Sequence, residues 1–143
     1  MPELMEAARV LGVETDQKPL KSGVAYLNLV DHGLPVKSLD RIAQVVAPGD
    51  TGFKYRIVPK ASLARSKTSR RLTTAQSVAV TRLASIWSQA LRVWKSESAA
   101  RDFLNRQHAL LAGRRPIDLV LENEIGAGLV HDVLGRLEYG SAV

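Results

Sequence analysis

The chain of 143 residues predicts an all-α protein. Three observations carry this reading. Apolar residues recur at three- and four-residue spacing in one segment after another. Helix starts and stops, among them Thr73 with Gln76, Gly33 and Pro48-Gly49, separate those segments. No segment reads convincingly as a strand.

The elements follow in order. Residues 3–11 (ELMEAARVL) form a short helix stopped by Gly12, and residues 12–22, with Pro19 and no periodicity, form a linker. Residues 24–33 are a helix ended by Gly33, and Pro35 forbids its continuation. Ser38 is the expected N-cap of a helix over 39–47, with Leu39, Ile42, Val45 and Val46 on one face. Residues 51–56 and 60–68 are two short helices around a turn at Ile57-Val58-Pro59. Thr73 and Gln76 form a capping box before a long helix. Its stripe is Ala79, Leu83, Ile86, Trp87, Ala90 and Trp94, widened by Val80, Ala84 and Leu91, so more than one side is buried. Ser98 is the expected cap of a helix through Asn105, and Gly113 breaks the segment after it. Pro116 opens a short helix, and Gly126 and Gly128 border the last one, which runs to Tyr139.

Composition narrows the function classes. With 45% apolar residues the chain can build a core, and with no cysteine it has no disulfide, thiolate metal site or cysteine nucleophile. The segment MPELMEAARV is acidic and polar-interleaved, unlike a signal peptide, and no apolar run is long enough to span a membrane. A cytoplasmic protein is expected. His32, His108 and His131 lack ligand spacing, and GAG at 126–128 lacks the lysine and preceding strand of a phosphate loop. Glu122 and Glu124 read as solvated carboxylates in a polar turn rather than an acid–base pair. The expectation is a protein that is not an enzyme, with no cofactor, no metal and no small-molecule substrate.

The net charge of +6 is unevenly spread. From Thr51 to Ser96 there is no Asp or Glu, and ten basic residues occur: Lys54, Arg56, Lys60, Arg65, Lys67, Arg70, Arg71, Arg82, Arg92 and Lys95. Each flank carries seven acids and five bases. A basic centre suits a polyanion, although a merely solvated basic face would have the same composition. The helix pair at 51–68 has the shape of a helix–turn–helix, whose second helix enters the major groove. With Leu63 facing the core, Ala61, Arg65 and Thr68 point outward, with Ser62 and Ser69 on one shoulder. Arg65 is suited to guanine, and Lys60, Lys67, Arg70 and Arg71 to phosphates.

Two segments together resemble a known family. VPKASLARSK followed by RRLTTAQS resembles the Xre-like helix–turn–helix of bacterial antitoxins. HALLAGRRPIDLVLENEIGAGLVHDVLGRLEYG resembles the toxin-binding domain of the Xre/MbcA/ParS antitoxins. It carries the element Leu-x-Gly-x-x-Pro-x-x-Leu at 111–119, a glycine-bearing turn, and a helix ending in Leu-Gly-Arg-Leu-x-Tyr-Gly at 134–140. The resemblance covers about residues 24–143 and implies three parts: an N-terminal segment and linker at 1–22, an Xre-like helix–turn–helix domain at 23–70, and a toxin-binding domain at 71–143. It also implies an antitoxin that neutralises an NAD-consuming RES-domain toxin by direct binding and represses its own operon. The alternative is a DNA-binding repressor whose C-terminal half only dimerises.

Expected toxin contacts are Arg136, Leu137, Tyr139, Gly140 and Val143, with the tail entering the toxin's NAD cleft. Leu134 and Leu137 also have the spacing of core residues. A homodimer is expected, with the 74–95 helix at or beside the interface because its stripe at Trp87, Leu91 and Trp94 is wide.

Overall fold

The computed structural model describes residues 2–66 and 68–140. Among them are eight α-helices and no strand: α1 (Pro2–Val10), α2 (Gly23–His32), α3 (Val36–Val46), α4 (Lys60–Arg65), α5 (Thr74–Trp94), α6 (Glu97–Asn105), α7 (Pro116–Glu122) and α8 (Glu124–Glu138). Single 3₁₀ turns occupy Phe53–Arg56 and Ala109–Leu111. No helix among the described residues is long and apolar enough to cross a membrane.

The long helix α5 is the axis of the molecule. The expected capping box starts it: Gln76 N–H donates to Thr73 Oγ1 at 3.1 Å, and Thr73 N–H donates to Gln76 Oε1 at 2.9 Å. Six helices, α1, α2, α3, α6, α7 and α8, pack against it. Val80, Leu83, Ala84, Ile86, Trp87 and Ala90 are consequently buried. Each large apolar side chain removed from water in this way contributes roughly 1.5–3 kcal/mol. Trp87 is only 1% exposed, so it is consumed within this one chain, while Trp94 at the helix end remains 39% exposed.

Helix α1 and the segment after it join this core. Ala7, Ala8 and Leu11 are buried, and small alanines let α1 lie close on α5. Ser38 is not the N-cap of α3. That helix begins at Val36 behind Pro35, which supplies the extended residue before it. Ser38 is buried in the first turn, and its hydroxyl donates to Leu11 O at 2.8 Å. A bare carbonyl at the end of α1 thereby gains a partner.

Three further elements differ from expectation for local reasons. Asp50 Oδ1 accepts from Gly52 N–H at 3.0 Å, an Asx turn that delays the next helix and leaves one 3₁₀ turn. α4 stops at Arg65, because Ser66 N–H bonds both Ser62 O and Leu63 O and its hydroxyl also donates to Ser62 O. Thr68 therefore lies beyond the helix. Ser96, not Ser98, caps α6: it is extended, and its Oγ accepts from Ala99 N–H at 3.2 Å.

Gly126 and Gly128 lie inside α8 rather than at its border. Asn123 ends α7 and caps α8 at once, its Oδ1 accepting from Gly126 N–H at 3.0 Å. The corner is so tight that a Cβ on Gly126 would sit 2.0 Å from Leu119 O, whereas a Cβ on Gly128 would meet nothing within 4 Å. Gly126→Ala should therefore cost about 1–3 kcal/mol through overpacking. Gly128→Ala should be neutral or stabilising by up to about 1 kcal/mol. Urea unfolding of the two variants checks this, and equal midpoints would contradict the close approach at Leu119.

Candidate functional site

The acid-free run does not remain a uniform basic face. Carboxylates from distant parts of the chain meet four of its cations. Lys54 pairs with Asp40 at 3.1 Å, Arg56 with Asp118 at 2.9 Å, and Arg82 with Glu124 at 2.9 Å. Arg92 pairs with Glu6 at 2.7 Å and Glu138 at 3.3 Å. Burial works against the charge on Arg92, but hydrogen bonds and attraction from Glu6 and then Glu138 outweigh it and raise its pKa. At Asp118, burial is likewise outweighed by hydrogen bonds from Arg115 and Arg56, which lower the carboxyl below its ordinary range.

Lys60, Arg65, Arg70 and Arg71 have no acidic partner among the described residues. All four are exposed, on α4 and the loop after it. Lys60 and Arg70 line one groove of about 820 Å³ with Lys37, over a floor that includes Leu63, Val36 and Tyr55. Lys60 Nζ stands 5.0 Å from the centre of the Tyr55 ring, which steadies the ammonium at the groove edge. Sequence reasoning missed Lys37, since it belongs to α3 and reaches the groove only by folding.

Ser62 is half-buried, and its Oγ accepts from Arg65 Nη2 at 3.3 Å. Arg71 is partly engaged: its Nη1 donates to Gly33 O at 3.1 Å, closing the end of α2. The loop is pinned to α3 by backbone bonds from Val36 N to Arg70 O (3.0 Å) and from Leu72 N to Leu34 O (2.8 Å). Gly33 is required here, because its φ is +97° and a Cβ would fall 2.1 Å from Leu72 O. Lys67 lies outside the described residues.

A second group of expected residues ends α8. Leu134 is fully buried and belongs to the core. Leu137 is 44% exposed and Tyr139 78% exposed, and Arg136 and Gly140 are exposed as well. Val143 lies outside the described residues. Tyr139 N–H closes the helix on Gly135 O at 3.1 Å, and Gly140 turns the chain with φ +57°. Leu137 borders a groove of about 360 Å³ whose lining includes Trp94, Phe103, Arg106 and His108, with Asp102 and Gln107 beside them. Phe103 joins the two other rings, its centroid 5.8 Å from Trp94 and 5.9 Å from His108. These four residues were not expected as site residues. The one available signal was Trp94, a large aromatic at the end of a helix whose stripe was already wide.

The histidines take structural bonds. His108 Nδ1 accepts from Leu110 N–H, and His32 Nδ1 donates to Asn28 O. His131 Nδ1 meets Gln89 Oε1 between α8 and α5, and Gln89 Nε2 donates to His131 O at 3.2 Å. Burial lowers the His131 pKa; the pull of Glu124 and Asp132 opposes this only in part, and Arg92 adds to the lowering. Glu122 and Glu124 are engaged by Arg114 and Arg82. No group of three or more His, Cys, Asp or Glu could hold a metal among the described residues.

No curated protein matches the chain. A family model described as the antitoxin Xre/MbcA/ParS C-terminal toxin-binding domain matches residues 89–140. The match begins in the second half of α5, spans α6, α7 and α8, and includes the Trp94–Phe103 groove and the exposed Leu137–Gly140 end. The C-terminal part of this chain, residues 89–140, is thus similar to the toxin-binding domain family of the Xre/MbcA/ParS antitoxins.

Proposed function

We propose that the protein is an antitoxin that neutralises an NAD-consuming RES-domain toxin by direct binding and also represses its own operon. The toxin-binding domain at 89–140 implies a toxin partner, and a regulatory rather than catalytic role. The RES identity rests on the resemblance to Xre/MbcA/ParS antitoxins, which neutralise toxins of that kind. The observation that carries the reading is the end of α8. Leu137 and Tyr139 stay exposed although Leu134, one turn earlier, is fully buried. Large apolar side chains left in water beside an aromatic groove favour a binding surface over a core. The proposed contacts are Arg136, Leu137, Tyr139, Gly140 and Val143. A repressor that used this half only to dimerise would have no toxin to neutralise.

The proposed division of labour gives residues 23–70 to DNA and 71–143 to toxin. Lys60, Ser62, Arg65, Lys67, Arg70 and Arg71 are the proposed DNA contacts. The support is that four cations elsewhere in the run, Lys54, Arg56, Arg82 and Arg92, find carboxylates, while Lys60, Arg65, Arg70 and Arg71 find none among the described residues and are exposed. A homodimer is part of the reading, for it suits a palindromic operator. The burial of Trp87 removes the centre of the seam first expected. Exposed apolar residues gather instead around a groove of about 580 Å³ between α1, α2 and α5, where Leu4, Leu27 and Val78 meet.

Three outcomes are expected. Co-expressed with the product of the adjacent reading frame, the wild-type chain should prevent lethality and NAD loss. Leu137→Ser with Tyr139→Ser should weaken inhibition of NAD turnover tenfold or more, roughly 1.4 kcal/mol of binding. Thermal unfolding should move little, because both side chains are already exposed; full inhibition by this variant would leave the α8 end without a role.

Binding to the operon's promoter should fall on the order of 100-fold over a fourfold rise in salt, if about four phosphates are neutralised. Arg65→Ala should narrow the gap between promoter and random DNA, and Arg70→Ala should weaken both alike. A salt-independent affinity in gel-shift titrations would refute autorepression through this face.

Leu27→Glu should convert a dimer to a monomer in light scattering without lowering the unfolding temperature, since Leu27 is 55% exposed. A wild-type monomer at micromolar concentration would refute the dimer.

A further inference from the structure

The helix α1 lies outside the matched segment 89–140, and the resemblance gives it no role. Contacts at several points nevertheless fix its place. Ala7 and Ala8 seat it on α5, and its far end is held by Ser38 through Leu11 O and by Arg41 Nε, which donates to Val10 O at 3.3 Å. On the face toward α8 it carries Glu6. Glu6 meets Arg92 of the last turn of α5 at 2.7 Å, and the same guanidinium reaches Glu138 at 3.3 Å. Glu138 sits between Leu137 and Tyr139.

A planar guanidinium can serve two carboxylates at once. Arg92 donates through Nη1 to one and through Nε to the other, so its orientation is set by both. Once Glu6 has ordered Arg92, Glu138 docks on a side chain that has already lost its rotamer freedom, and the second contact costs less entropy than an isolated pair. The side chains of Arg92 and Glu138 are 29% and 23% exposed, so solvent screens this link less than it would an open surface pair.

We infer that α1 is a brace for the toxin-binding end: Glu6 positions Arg92, and Arg92 positions Glu138, so that Leu137 and Tyr139 are presented in one orientation. This rests on the antitoxin reading for its purpose, but not for its mechanics. Glu6, Arg92 and Glu138 are positioning residues and touch no toxin group in this scheme. The brace also runs from α3, which borders the basic groove, to the end of α8, so an N-terminal segment outside the matched domain acts on that domain's binding surface.

The test uses the full chain and two readouts. Amide hydrogen exchange is followed by NMR in the wild type, Glu6→Gln, Glu138→Gln and the double variant. In Glu6→Gln, the Tyr139 amide bonded to Gly135 O should exchange faster by on the order of fivefold, while Leu83 and Ile86 in the core of α5 keep their wild-type rates. The double variant should exchange no faster than Glu138→Gln alone, since both changes break one chain of contacts. Arg92→Lys, which keeps the charge but loses the fork, should behave like Glu6→Gln. Unchanged exchange at Tyr139, equal acceleration throughout the chain, or additive effects in the double variant would each overturn the brace. In the second readout, the affinity of Glu6→Gln for the product of the adjacent reading frame should fall by a similar factor at unchanged unfolding temperature, and an unchanged affinity would overturn the role in presentation. If the wild type itself does not bind that product, the antitoxin reading falls, and exchange alone decides the brace.

Discussion

Every other helix that matters to this fold is placed by the burial of α5. A 21-residue helix is about 31 Å long, and a single layer of neighbours cannot cover it on one side only. Its apolar stripe is wide, so six helices surround it, and the order in which they do so decides what each end of the molecule presents. At its start, Ser77 Oγ accepts from Leu34 N–H at 2.8 Å and Thr74 Oγ1 donates to Asp31 O at 2.7 Å. These bonds draw the α2–α3 corner onto the axis, and with it the groove that contains Lys37, Lys60 and Arg70. At its end, Arg92 and Trp94 meet α1, α6 and α8, and the apolar end of α8 is held there.

Two contacts that cross the molecule show how the proposed halves are joined. Arg56 reaches Asp118, which Arg115 also holds at 2.9 and 3.0 Å, so the 3₁₀ turn before α4 is tied to α7. Arg101 of α6 donates to Val45 O of α3 at 2.8 Å, and its guanidinium stands 5.6 Å from the Trp87 ring centre. Hydrogen bonds to charged groups contribute more than neutral ones, though these side chains are partly solvated and their worth is correspondingly reduced. The buried apolar residues from Ala7 to Leu134, Ala127 apart, form one cluster.

The cations of the middle segment fall into two groups. Cations of the middle segment that lie near α1, α7 or α8 find carboxylates from those helices and act as ties. Lys60, Arg65, Arg70 and Arg71, on α4 and its loop, have none among the described residues and remain exposed. At the end of α8 exposed apolar and aromatic side chains, Leu137, Tyr139 and Trp94, stand beside a groove that Phe103 also lines, with Asp102 and Arg106 among its polar residues. A polyanion and a protein would thus be met by different chemistry on different elements, which is what a protein with both partners requires.

Local chemistry was legible in the sequence. The all-α class, the Thr73–Gln76 box, the stop at Gly33 and the start at Pro116 depend on residues within four positions of one another, and they hold wherever the segment ends up. The motif from Leu111 to Gly140 is similarly continuous, which is why the similarity to the antitoxin toxin-binding domain is legible without a structure. Packing decided the rest. Ser38 and Ser98 have the chemistry of caps, but Ser38 is drawn to Leu11 O, 27 residues earlier, and the extended residue before α6 is Ser96. Gly126 reads as a helix breaker until Leu119 is seen against it. Among the described cations of the acid-free run, four pair, with Asp40, Asp118, Glu124, Glu6 and Glu138, at separations of 14 to 86 residues. Charge is written in the chain, but which charges are neutralised depends on which segments meet, and burial around α5 alone decides that.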